Sequence, residues 1–93
     1  MTKETANEIK NILKENKYSS RYYSPKETLI VDLMLYYDSR IEEYGGQKAL
    51  NERANNYLIK VLNILTKNGY RPKYELKKKR AQGFINIVQV YFN

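Results

Sequence analysis

Ninety-three residues suffice for one domain with one hydrophobic core, spanning residues 1–93. The chain has no cysteine and no histidine, which excludes disulfides, thiolate and imidazole metal sites, and catalysis through the commonest general base. Seventeen Lys and Arg against 10 Asp and Glu give a net charge of +7, and a balance this basic points to an anionic partner.

The expectation is therefore a binding protein, not an enzyme, and one that needs no cofactor. No apolar run reaches the ~20 residues of a membrane span. Met1-Thr2-Lys3-Glu4-Thr5 lacks the apolar segment of a signal peptide, which makes the cytoplasm the default compartment.

In chain order, residues 3–16 carry Ala6, Ile9, Ile12 and Leu13 on one face at helical spacing, with Thr2 or Thr5 as the cap. Residues 17–24 have no period and read as a loop, in which Arg21 lies among Tyr18, Tyr22 and Tyr23. Tyr and Arg are enriched at interface hot spots, so these four residues are the candidate protein-binding site. Packing over the end of a helical layer is the other reading.

Ser24-Pro25-Lys26-Glu27 has the order of a helix start: Ser as N-cap, Pro at the first position, Glu closing a capping box. The apolar run that follows, from Leu29 to Tyr44, predicts a central helix ended by Gly45-Gly46 through a left-handed cap. That helix carries more apolar surface than a small domain buries internally, which is compatible with a homodimer.

Residues 47–68 predict a third helix, with Leu50, Ala54, Tyr57, Leu58, Val61, Leu62 and Leu65 inward and Asn68-Gly69 as its stop. The pattern then changes. Tyr70, Tyr74 and Leu76 alternate with Arg71, Lys73, Glu75 and Lys77, as on a half-buried strand that Pro72 sends to a sheet edge. Residues 78–83 read as a polar turn and Phe84–Phe92 as a second strand. The predicted fold class is α+β: three helices followed by a C-terminal antiparallel β-hairpin.

The charge is concentrated in that hairpin. Residues 1–23 hold five cations against three acids, residues 24–56 four against six, and residues 57–93 eight against one. Lys67, Arg71, Lys73, Lys77, Lys78, Lys79 and Arg80 are opposed only by Glu75. Such asymmetry suits a nucleic-acid backbone, and it also suits a strand whose lysines discourage edge pairing.

The stretch from Tyr57 to Tyr70, leucine-spaced and closing on Lys67-Asn68-Gly69-Tyr70 before a basic hairpin, resembles the end of the recognition helix in winged helix-turn-helix regulators. The resemblance covers residues 47–92 and implies a winged-helix-like fold, a DNA-binding regulator and a phosphate-gripping wing at Lys77–Arg80. It needs a break at Asn55-Asn56 to form its two helices. Its base-facing residues would then lie among Lys48, Asn51, Asn55 and Asn56, and Asn suits adenine.

The abundance of Lys, Asn, Ile and Tyr resembles small phage or mobile-element proteins of low-GC bacteria. That style implies an alternative: an inhibitor of the anti-CRISPR type that binds a nucleic-acid-associated host defence protein. Of the enzymatic readings, only Glu75-Leu76-Lys77 with Asp32 or Asp38 touches a known pattern, the Glu-x-Lys of metal-dependent nucleases, and a Glu-x-Lys in a lysine-rich strand arises readily by chance.

Overall fold

The computed structural model describes all 93 residues. Helix α1 (Lys3–Glu15) is followed by strands β1 (Ser20–Tyr23) and β2 (Thr28–Tyr37), helix α2 (Gln47–Lys67) and strands β3 (Tyr74–Ala81) and β4 (Ile85–Phe92). The strands form one antiparallel sheet in the order β1-β2-β4-β3. The fold is thus α+β with two helices and four strands, and the expected three helices with a lone hairpin are corrected.

The correction falls on residues 24–44. Ser24–Lys26 do turn, but only as a 3-10 segment with no side-chain cap bond, and Glu27 adopts a left-handed φ of 49° that ends it. The apolar run then forms β2, a central strand paired with β1 on one side and β4 on the other. A bulge between Asp32 and Met34 sends both Leu33 and Met34 to the core side, so the period-2 alternation of a strand is lost. A strand apolar on both faces is indistinguishable from a buried helix by period alone. The expected loop at 17–24 likewise contains β1, and the segment 38–44 forms two short 3-10 turns.

Both remaining helices lie where their period places them. Thr2 Oγ1 accepts from the Thr5 amide at the start of α1, and Ala6, Ile9 and Leu13 are buried. Helix α2 is continuous through Asn55-Asn56 and buries Leu50, Ala54, Leu58, Val61 and Leu65. The break that a helix-turn-helix unit requires is absent.

Helix α1 packs on β1, α2 on β2, and the two helices pack on each other. Between helices and sheet lies one core, completed from the strands by Leu29, Val31, Leu33, Tyr36, Val88, Val90 and Phe92. Both helices are therefore on one face of the sheet, and the other face is left uncovered. No helix is long and apolar enough to cross a membrane.

Candidate nucleic-acid interface

Register decides which strand residues share the uncovered face. Arg21, Ile30, Tyr91 and Glu75 form one row across the four strands. Asp32, Gln89 and Lys77 form the next, then Leu35, Ile87 and Lys79, then Tyr37, Ile85 and Ala81. The alternate residues of β3, namely Tyr74, Leu76, Lys78 and Arg80, point to the helix side. They pair with the buried Phe92, Val90, Val88 and Asn86.

The basic cluster lies on β3 and not in the turn. Lys78, Lys79 and Arg80 belong to the strand, and the connection is Gln82-Gly83-Phe84, with Gln82 and Gly83 both at positive φ. Strand β3 pairs only with β4, and every residue from Tyr74 to Arg80 is exposed. Its cations leave the sheet in two directions, Lys77 and Lys79 over the uncovered face and Lys78 toward α2.

These cations are not equivalent. Arg80 pairs with Asp38 and donates to the Gly83 carbonyl, so it ties the hairpin connection to the end of β2. Asn86 donates to the other Asp38 oxygen at 2.6 Å. The hydrogen bonds from Asn86 and Arg80 hold the Asp38 carboxyl below its ordinary range. Lys77 lies 3.8 Å from Glu75, an exposed pair of little net worth. Lys67, Arg71, Lys73, Lys78 and Lys79 have no acidic partner.

Of the helix residues expected to face bases, Asn51 and Asn55 do meet the basic strand. They line a groove of about 370 Å³ between α2 and β3 with Ala54, Leu76, Lys77, Lys78 and Val88. Gln47 donates to Asn51 Oδ1 at 3.0 Å and to the Tyr36 hydroxyl at 3.1 Å. Lys48 is exposed on the first turn of α2 and is not part of that groove.

The four residues expected to bind protein are divided. Tyr22 packs against the core and donates to the Met1 carbonyl at 2.8 Å. Tyr18 also packs there, and burial, reinforced by Tyr57, raises its phenol above the ordinary range. Arg21 and Tyr23 instead rise from β1 onto the uncovered face.

There the structure assembles a hollow that sequence reasoning missed. Its volume is about 460 Å³, and it is lined by Arg21, Tyr23, Lys26, Thr28, Ile30, Lys77 and Tyr91. Ile30 and Thr28 are buried at its floor, Tyr23 and Tyr91 bring two rings, and three cations stand around them with no acid in the lining. The Lys77 ammonium sits 4.7 Å from the Tyr91 ring centroid, within cation–π range. At the far end of the same face Leu35, Tyr37 and Phe84 are exposed, and the Tyr37 and Phe84 rings stack with centroids 6.3 Å apart.

The carboxylates weighed for a metal site are engaged elsewhere. Asp32 lies on β2, not on a helix, and accepts from Gln89 Nε2 at 2.7 Å. Asp38 is held as described. No group of three or more His, Cys, Asp or Glu side chains comes together that could hold a metal ion.

No family model, no curated protein and no solved structure matches this chain.

Proposed function

We propose that this protein is a small nucleic-acid-binding module that grips the phosphate backbone with β3, with DNA as the first ligand to test. One observation carries the reading: an exposed edge strand presents Lys78 and Lys79 with no acidic partner, and Lys77 with only a weak one. Unpaired cations along one strand supply the sequence-independent part of such binding. The groove holding Asn51, Asn55 and Lys78 adds amide groups able to reach base edges. The test is fluorescence anisotropy of a labelled random DNA duplex, at low and at near-physiological salt. Tight binding that weakens with salt is the expected result, and no binding at low salt would overturn the reading.

A second reading, an inhibitor of the anti-CRISPR type acting on a host protein, is favoured by the exposed cluster of Leu35, Tyr37 and Phe84, since contiguous exposed apolar residues mark interaction sites. It requires one stoichiometric partner that survives nuclease treatment in a pull-down and is lost with Tyr37→Ala. A partner lost on nuclease treatment would speak against it.

A further inference from the structure

We infer that the uncovered sheet face takes a single-stranded nucleic acid, with a base seated in the hollow between Tyr23 and Tyr91. The inference rests on the nucleic-acid reading and specifies the ligand's strandedness and its seat.

Two requirements of single-strand binding meet in that hollow. One is an aromatic ring whose face a base can cover, which is tolerant of sequence because every base has a π-face. The other is a cationic border along which the backbone runs. Tyr91 is in register with Ile30, so its ring stands beside an apolar floor, while Tyr23 closes the β1 side and is 47% exposed. Arg21 and Lys26 flank one wall and Lys77 the other.

Lys77 lies across this hollow. Its ammonium covers the Tyr91 ring and lies 3.8 Å from Glu75, and the side chain is half exposed. An arriving base replaces the ammonium on the ring, and the ammonium moves to the phosphate that the base brings with it. The cation thus gives up the ring and its weak pair with Glu75 for a phosphate.

The face continues beyond the hollow in a direction a strand can follow. From Tyr91 to Ile85 along β4 is six residues, about 20 Å at the strand rise. It ends at the stacked Tyr37–Phe84 pair. Lys77 and Lys79 border this path from β3, outnumbering Glu75 on the same strand, while Asp32 on β2 is occupied by the Gln89 amide. Aromatic rings at both ends with cations between them fit a stretch of a few nucleotides. A duplex cannot use the rings, because its bases are already stacked on one another. The hollow's charge therefore favours an anionic ligand, and its rings favour a single strand over a duplex.

The experiment compares a labelled 15-nucleotide oligo-dT with a duplex of equal length at one salt concentration, by anisotropy. The proteins are the unaltered chain, Tyr91→Leu and Tyr23→Leu, with circular dichroism as a check of folding. The unaltered chain is expected to prefer the single strand. Each variant is expected to lose about five- to 150-fold on oligo-dT, the worth of one stacked base, with duplex binding unchanged. Tyr23 is half exposed, so Tyr23→Leu keeps the test sharp if Tyr91→Leu disturbs β4. Preference for the duplex, or oligo-dT affinity unmoved in both variants, would overturn the single-strand assignment while leaving nucleic-acid binding in place. Failure to bind either ligand at low salt would instead reject the nucleic-acid reading itself.

Discussion

Replacing Lys78 and Lys79 by alanine separates backbone contact from mere solubility. Both side chains lie on an exposed edge strand, and neither has an acidic partner, so each is free to neutralise one phosphate. Each such contact contributes about 0.9 to the slope of log affinity against log salt on duplex DNA. Losing both should flatten the slope by about 1.8. Over a fourfold rise in salt, from about 50 to about 200 mM, that is roughly a tenfold smaller loss of affinity than the unaltered chain shows. Stability should move by no more than about 0.5 kcal/mol, as is usual for surface positions. The assay is a set of anisotropy titrations at several salt concentrations, with a thermal melt of each variant. A slope unchanged in the double variant, with the fold intact, would refute the assignment of β3 as the phosphate contact. Arg80→Ala is the informative contrast, because Arg80 is bound to Asp38 and Gly83. Its loss should lower the melting temperature more than the Lys78 and Lys79 substitutions do.

Asp38→Asn should remove part of the protein's acid sensitivity. The Asp38 carboxyl is held low in the fold, so its stabilisation is complete above its unfolded pKa of about 3.9 and fades as pH falls through the lower folded value. Urea melts between about pH 2 and pH 6 should therefore show a shallower decline for the variant. Gly46→Ala should cost about 1–3 kcal/mol in urea denaturation although nothing lies within 4 Å of the added carbon, because φ 91° with ψ 174° at the start of α2 is open essentially to glycine alone. Leu35→Thr should change stability by less than about 1 kcal/mol on a strand position half exposed to solvent. A loss above about 2 kcal/mol would mean that this part of the uncovered face serves the fold.

Where local chemistry settled the structure, it was legible in the chain. The stripes Ala6-Ile9-Leu13 and Leu50-Ala54-Leu58-Val61-Leu65 are buried as their 3.6 period requires. The change to alternation after Gly69 marks a hairpin whose first strand is at a sheet edge, but that strand runs Tyr74–Ala81 and is exposed, not half-buried through Pro72 from Tyr70. The run from Leu29 to Tyr37 was not legible, because burial of a central strand and the bulge near Leu33 erased its alternation. The helix-like start at Ser24-Pro25 adds to the helical pattern, but the left-handed Glu27 ends it after one turn. The site divides in the same way. Lys77 to Arg80 were visible as composition, whereas the hollow draws Tyr23, Ile30 and Tyr91 from three strands, and only the order β1-β2-β4 brings them together.

The helix-like pattern of β2 and the proposed ligand face have one physical origin. A strand in a sheet covered by helices on one side only should be apolar toward the helices and polar away from them. Strand β2 is largely apolar on both sides: Leu29, Val31 and Tyr36 meet the core, while Ile30, Leu35 and Tyr37 lie on the uncovered face with Thr28 and Asp32. Strand β4 does the same with Ile85, Ile87 and Tyr91. This second apolar surface makes the sequence look like a buried helix, yet no element of the chain covers it. Leu35 and Tyr37 remain substantially exposed, so they contribute little to folding through burial. A surface that carries exposed aromatic rings, is bordered by Lys77 and Lys79 and has no helix packed on it is best accounted for by something that brings flat apolar groups and negative charge together, and a single strand of nucleic acid brings both.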